Sequence, residues 1–474
     1  MGKPLKILHW NADGVIGHKH ELSTYISKND VHVVMLSETH LKKKRKFQIP
    51  GYCTYRADRD GDVAAGGTAI LIKNEIPHSF KETPNLQKME ACSCVLNLDG
   101  SKMKIISVYK KPNEELLLAD IQELFNENIP TLLAGDLNSK HTQWGCTSTN
   151  QNGRRLKEII NEESLTLITP DEPTHIPRQA NHRPDILDIA ITKNINYQFE
   201  QKVLNAFYSD HLPVLITMKL QLPKLDLNQP KVNWKVLENN LKNLKLTPHD
   251  IKKKGSIEEA AVVFQQAINN AVQTSTENIK RKTYKEEIPD ITVEMIKIRN
   301  KLRKDFKRTR DPELRRQVNQ LHRLIQVDLE EVRQERWEKK TESLIVKNNS
   351  IWRFTKLLKN EKFNMPTLTT ENGDAETPQE KAEALANSLK RQFQLNNVCN
   401  PTFHKEIEDN VVSFLLTPHD STVESISMEE LEEARSELKA HKAPGPDGIL
   451  NKVLKMLPDH LDLPPLDLQP MFTI

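Results

Sequence analysis

Residues up to Leu222 predict an α/β fold with a two-sheet core and helices outside it, and three observations carry that reading. Short apolar runs recur, each broken by Gly, Pro, Asn or Asp. Several of these runs are apolar on both faces, as strands covered from both sides must be. Helical periodicity is scarce between them, which excludes a plain doubly wound sheet with one helix per crossover.

In order, LKILHW (5–10), VHVVML (31–36), GGTAILI (66–72), ACSCVLNL (91–98), MKIISVY (103–109), PTLLAG (130–135), LTLIT (165–169), ILDIAI (186–191) and PVLITMKL (213–220) read as strands. ACSCVLNL partly alternates, so one of its faces is less apolar. Two helices interrupt the series, over Glu114–Asn126 and Gly153–Glu163. Residues 221–231, QLPKLDLNQPK, are polar and Pro-punctuated, as in a linker.

Beyond the linker the pattern becomes helical. Ser256-Ile257-Glu258-Glu259 reads as a capping box, followed by Phe264, Ile268 and Val272 at four-residue spacing. Asp311-Pro312 opens a helix with Leu314, Val318, Leu321 and Ile325 on one stripe. Between them lies the basic stretch IKRKTYK and KIRNKLRKDFKRTR. It reads either as a solvated helix face or as a phosphate-contact surface using Lys280, Arg281, Lys282, Arg299, Lys301, Arg303 and Lys304. MPTLTTENG (365–373) reads as a short strand and turn, then TPQEKAEALANSLKRQF as a helix, and Ser427 with Glu430 caps a last one ending before Pro444. The predicted organisation is a domain over 1–222, a helical and partly basic linker region over 223–360, and a third segment over 361–474.

Composition limits the function classes. The charged fraction of 28% with 37% hydrophobic residues describes a soluble chain, and a net charge of +3 leaves any nucleic-acid footprint to local clusters. Five cysteines at scattered positions form neither a disulfide framework nor a zinc pattern, which fits a reducing compartment. The opening MGKPLKILHW has no signal-like apolar region and no run approaches membrane-span length, so an intracellular protein is expected.

Polar residues repeatedly follow the strands: Asn11, Glu38, Tyr109, Asp136 with Asn138, then Asp188 and Asp210-His211. Singly, each is equally well a strand-end turn residue; together they predict one cleft at the strand ends. Phosphodiester cleavage explains the inventory. A hard divalent cation takes carboxylate and amide oxygens, a role for Glu38 helped by Asn11. Asp136 is the candidate for orienting and deprotonating water. Asn138, two residues on along an extended segment, would point the same way. His211, held protonated by a buried carboxylate such as Asp188, would donate to a phosphate oxygen, as would Tyr109. His141 and Trp144 read as packing of the loop after Asn138 or as DNA contacts, and Asp185 as a turn residue.

WNADG, SETHL, SVYKKP, GDLNSKHTQWG, EPTH, DILDIAI and SDHLPV, in this order, resemble the exonuclease–endonuclease–phosphatase superfamily. Within it they look most like the apurinic-type endonuclease domain of jockey-type non-LTR retrotransposons. The resemblance implies a four-layer α/β sandwich that nicks double-stranded DNA with Mg²⁺ (Mn²⁺ as an alternative). It implies metal binding by Glu38, Asn11 and Asp210, water activation around Asp136 and Asn138, phosphate contacts from Tyr109 and His211, and support from Asp188, Asp210 and Thr174. Asp13 stands where many relatives carry Asn, adding a charge that would either strengthen cation binding or weaken DNA binding.

HKAPGPDGI and the segment before it resemble the entry to a reverse transcriptase domain. No Asp-Asp pair occurs in the sequence, so an incomplete polymerase segment without RNA-directed synthesis is expected of this chain. The implied function is a target-site endonuclease leaving a 3′-hydroxyl primer, working in the nucleus, with element RNA as a further partner. A superfamily phosphatase acting on inositol phosphates or phospholipids, and a non-catalytic remnant of a decayed element, are the alternatives.

Overall fold

The computed structural model describes residues 4–458 apart from positions 62, 99–100, 180–181, 221–228, 245–253, 280–287, 347–348, 360–367, 372, 376–377, 395–399 and 417–426. The chain divides into two compact units, Met1–Asp226 with Thr283–Arg391, and Leu227–Lys282 with Gln392–Ile474.

The first unit is built on two six-stranded sheets. Its strands are β1 (Leu5–Asn11), β2 (Val33–Ser37), β3 (Tyr52–Ala57), β4 (Thr68–Lys73), β5 (His78–Lys81), β6 (Met89–Leu98), β7 (Ser101–Lys110), β8 (Thr131–Asp136), β9 (Thr166–Ile168), β10 (Asp188–Lys193), β11 (Phe199–Val203) and β12 (Val214–Met218). One sheet runs β11-β12-β1-β2-β4-β3 and the other β5-β6-β7-β8-β10-β9. Each has a single parallel pair at its centre, β1 with β2 and β7 with β8, and antiparallel neighbours elsewhere.

Side-chain alternation sorts the strands into layers. Leu5 and Ile7 of β1, Val33 and Met35 of β2, Ile105 of β7 and Leu132 of β8 form the core between the sheets. The intervening Leu8, Trp10, Val34 and Leu36 face outward and are covered by Leu22 and Ile26 of α1 (Lys19–Lys28). On the other side Ile106, Val108 and Leu133 meet α2 (Leu118–Leu124) and α3 (Gln151–Glu162). The expected four-layer sandwich is present. Two hydroxyls stitch the sheets: Ser37 Oγ donates to the Val108 carbonyl at 2.7 Å and Ser107 Oγ to the Leu36 carbonyl at 2.9 Å.

The strands without a sequence signal, β3, β5 and β11, lie at or beside a sheet edge, where one neighbour is missing and polar residues are tolerated. Helix α1 was also silent, because its buried set includes Glu21 and Ser23. The helix expected over Glu114–Asn126 is shorter, and α3 starts earlier because Asn150 caps it, its Oδ1 accepting the Gly153 N–H at 2.7 Å.

The second unit has its own small core. Helices α4 (Trp234–Lys242) and α5 (Lys254–Thr274) bring Leu237, Leu241 and Ile268 together with Ile449 and Val453. Helix α5 begins two residues ahead of Ser256, the expected cap. Residues 290–342, expected within a linker, instead belong to the first unit as α6 (Asp290–Thr309) and α7 (Pro312–Glu342), with Asp311 capping α7 through the Glu313 N–H at 2.9 Å. Charged side chains turned inward hold this hairpin there: Arg299 is fully buried against Glu21.

Helix α8 (Ser350–Lys359), two paired strands (Leu368–Thr370 and Gly373–Ala375) and α9 (Pro378–Gln392) follow, then α10 (Pro401–Leu416), α11 (Met428–Glu437) with the predicted Ser427–Glu430 capping box, and α12 (Asn451–Leu454). Helix α11 stops well before Pro444. Among the described residues no helix is long and apolar enough to cross a membrane.

Gly135 lies where a side chain has no room: an added Cβ would collide with the Val108 carbonyl oxygen on β7. Gly135→Ala is expected to cost about 1–3 kcal/mol, read as a lower melting temperature in thermal denaturation.

Candidate active site

The sandwich makes its site by aligning strand ends. The parallel central strands β1, β2, β7 and β8 finish at the same edge, where Asn11, Glu38, Tyr109 and Asp136 follow from their last residues. The antiparallel β10 starts there with Asp188, paired with Asp136, and Asp210-His211 enters β12 beside them. Asn11 ties the two sheets at this edge, its Nδ2 donating to Glu38 Oε1 and to Asp136 Oδ2, both at 2.9 Å.

Two groupings result. The first is a donor set: Asp13, Glu38 and His40 offer ligand atoms within 4.8 Å of one another. His40 Nε2 stands 3.4 Å from Glu38 Oε2, and the Asp13 N–H donates to Asn11 Oδ1 at 3.2 Å. Burial opposes ionisation of Glu38, but hydrogen bonds from His40, Asn11 and Tyr109 outweigh it and hold its carboxyl at about 2. Two carboxylates and an imidazole are a donor set that fits a divalent cation.

The second grouping is a buried charge relay of distances rather than of steps. His211 Nδ1 donates to Asp188 Oδ2 at 2.7 Å, and its Nε2 lies 3.6 Å from Asp136 Oδ2. His9 Nε2 donates to the other Asp188 oxygen at 3.0 Å. Burial disfavours the imidazolium, yet Asp188 and Asp136 raise His211 to about 10. Burial likewise works against the Asp188 carboxylate, and the His211 and His9 contacts pull it well below the usual range. Asp136 moves the other way: burial and the nearby Asp188 push it up to about 6 against the pull of His211. Thr174 accepts the backbone N–H groups of Leu187 and Asp188 at 3.1 Å each, fixing the carboxylate's backbone.

Backbone strain marks the same edge. Asp13, Glu38, His40 and Asn138 all adopt positive φ, between 43° and 51°, a region costly for residues other than glycine. Asn138 is therefore not on an extended segment, as expected; β8 ends at Asp136 and a left-handed turn follows. Its N–H donates to Asp136 Oδ1 at 3.0 Å and its Nδ2 to the Lys110 carbonyl at 2.8 Å.

Other expected residues are placed differently. Asp210 stands outside the three-donor cluster and faces Arg178 Nε at 3.6 Å, while Arg178 Nη2 also pairs with Asp13 at 2.6 Å. Trp144 is buried, donates from Nε1 to the Ser139 carbonyl at 3.2 Å and stacks on His141, so it packs the loop. Asp185 is a clamp: it pairs with Lys140 at 2.7 Å and accepts from Thr147. Of the basic candidates, Lys301 and Lys304 are exposed, whereas Arg299 and Arg303 point inward to Glu21 and to backbone carbonyls. Lys280, Arg281 and Lys282 lie outside the described residues.

Sequence reasoning passed over His9, His40 and His175. His9 had a usable signal, being two residues from Asn11 on one strand and hence on its face. His40 follows Glu38 at the same interval, but a turn rather than strand periodicity brings it back. His175 sits 4.7 Å from the His211 ring, held there by an isolated bridge between the two backbones.

Comparison with known proteins gives this geometry its relatives. Residues 103–215 match the endonuclease-reverse transcriptase family. The chain is similar to the RNA-directed DNA polymerase from mobile element jockey of Drosophila melanogaster, at 25% identity over 96% of this chain and 51% of that protein. It is also similar to the probable RNA-directed DNA polymerase from transposon X-element of the same fly, 26% identical over 96% of this chain and 51% of the relative. The chain is thus similar to RNA-directed DNA polymerases of jockey-type mobile elements. That relation agrees with the family resemblance of the ordered motifs. The chain spans about half the length of the curated relatives it matches. Among solved structures, the endonuclease domain of TRAS1, a telomere-specific non-LTR retrotransposon, is matched over its whole length and 46% of this chain, with 16% identity and a TM-score of 0.40.

The His211–Asp188 pair makes a pH prediction. Folded His211 titrates at about 10, above its ordinary 6.5, so its stabilising charge is fully present below about pH 6.5 and is lost as pH rises through about 10. The melting-temperature gap between wild type and His211→Gln should therefore narrow from about pH 8 to pH 10.5; a gap constant across that range would contradict the pairing.

Proposed function

We propose that the sandwich is a metal-dependent DNA endonuclease that nicks one strand and leaves a 3′-hydroxyl, the end an element's polymerase would extend on its RNA. One observation carries the reading. A cation-type donor set (Asp13, Glu38, His40) adjoins a buried carboxylate–imidazole group (Asp136, His211, Asp188), and Asn11 bridges them.

Mg²⁺, with Mn²⁺ as a substitute, is the cation proposed for Asp13, Glu38 and His40. When bound it supplies positive charge against the phosphate and leaving oxygens. The remaining work falls to side chains. His211, kept protonated by Asp188, donates from Nε2 to a non-bridging phosphate oxygen. Asp136 has its oxygens oriented by Asn11 and the Asn138 N–H, and accepts the proton of the attacking water. A carboxyl raised to about 6 is a better base than an ordinary one and is still ionised at neutral pH. Water's oxygen bonds to phosphorus, the bond to the 3′-oxygen breaks, and the departing 3′-oxygen takes a proton from solvent water, while the proton of the attacking water stays on Asp136 until it is lost to solvent. Tyr109, whose hydroxyl bonds Glu38, holds the carboxylate in place. Double-stranded DNA is the proposed substrate, bound mainly through its backbone.

Incubating the full chain with supercoiled plasmid and Mg²⁺ should give the open circle, and chelator should stop it. Asp136→Asn and His211→Ala should each lower the rate by about 10²–10⁴-fold. Asp13→Asn should raise the Mg²⁺ concentration at half-maximal rate while leaving the saturated rate close to wild type. Absence of nicking, with phosphate released from an inositol phosphate instead, would overturn the nuclease reading.

A further inference from the structure

Three carbonyl groups just ahead of Asp210 and His211 find their donor on α6, 94 residues further along the chain at the closest. Residues 206–209 lie within the connection from β11 to β12, where the chain bends. Phe207 has φ of 56° and is fully buried, its ring 4.7 Å from Trp10 and 5.3 Å from Tyr25. Backbone carbonyls in such a bend must be partnered or hydrated. Arg303 partners them: Nη1 donates to the Ala206 carbonyl at 2.9 Å and to the Phe207 carbonyl, and Nη2 to the Ser209 carbonyl at 2.7 Å.

Arg299, one turn earlier on α6, steadies the same bend indirectly. Its guanidinium grips Glu21 with two hydrogen bonds of 2.9 and 2.5 Å, and Glu21 Oε1 accepts the Phe207 N–H at 3.2 Å. The bend leads straight into the site. Ser209 Oγ donates to the Asn11 carbonyl at 2.9 Å and accepts the His211 N–H at 3.1 Å. Whatever moves Ser209 therefore moves the bridging asparagine and the histidine together.

We propose that Arg303 is a positioning residue for Asn11 and His211, so that the catalytic unit of this chain includes the α6–α7 hairpin as well as the sandwich. The proposal rests on the nuclease reading above. A guanidinium with three carbonyls to satisfy suits this work, because its planar fork fixes several oxygens at once. Misplacement of a catalytic group by about 1 Å costs on the order of 100-fold in rate.

The test uses the full chain, with three readouts: plasmid nicking resolved into kcat and KM, DNA affinity by fluorescence anisotropy in chelator, and thermal unfolding. Wild type must nick; if it does not, the nuclease reading fails and not this one. Arg303→Ala should lower kcat by about 10- to 100-fold while KM and DNA affinity stay within about twofold and unfolding remains cooperative. Arg303→Lys, reaching fewer carbonyls, should recover part of kcat. Wild-type kcat in Arg303→Ala would overturn the proposal, as would a rise in KM and loss of affinity at unchanged kcat, which marks a DNA contact. Should the alanine variant fail to fold, the lysine variant decides by the same comparison: reduced kcat at unchanged affinity supports positioning, and wild-type kcat overturns it.

Discussion

A carboxylate with almost no solvent exposure, Asp188, is the constraint around which the candidate site is arranged. An ionised group so deep is tolerated only when fully partnered. Its partners come from separate parts of the chain: His9 from the first sheet, His211 from the entry to β12, and Thr174, which holds the backbone N–H groups of Leu187 and Asp188. Satisfying one carboxylate thus fixes the spacing of the two sheets at one end and sets a charged imidazole beside Asp136. Packing and chemistry share these contacts.

The second requirement is that loops leave the strands sharply. Donor side chains converge only if the backbone turns back at once after β1, β2 and β8. The residues that do so, Asp13, Glu38, His40 and Asn138, occupy the left-handed region without being glycine. Their strain is offset by hydrogen bonds across the edge, from Asn11 to Glu38 and Asp136 and from Asn138 to Asp136 and the Lys110 carbonyl. Asp13 fits this picture. Its carboxylate joins Glu38 and His40 in the donor set and pairs with Arg178, so its charge has neighbours of both signs.

The α6–α7 hairpin shows how far a basic composition can mislead. KIRNKLRKDFKRTR has the look of a solvated or phosphate-facing helix, yet Arg299 and Arg303 are spent on Glu21 and on backbone carbonyls. Lys307 pairs with Glu172, and Arg310 donates to the carbonyls of Pro177 and Gln179. A charge run reports cations and says nothing of which way they turn; that depends on the acids and carbonyls of the surface they meet.

What is local or periodic is legible in the chain alone. Central strands were legible because residues covered on both faces must be apolar, and the ordered strand-end residues Asn11, Glu38, Tyr109, Asp136, Asp188 and His211 marked the edge where they meet. His9 was legible in principle from its register with Asn11. Edge strands and α1 were not, since a half-covered element tolerates the polar residues that blur periodicity. Nor were His40, the turn at Asn138, or the inward arginines, because each depends on a partner distant in the chain or on a backbone turn with no periodic trace. Those follow from the folded arrangement, because a charge or a carbonyl is satisfied by whatever group the fold brings within about 3 Å, and sequence distance plays no part in that.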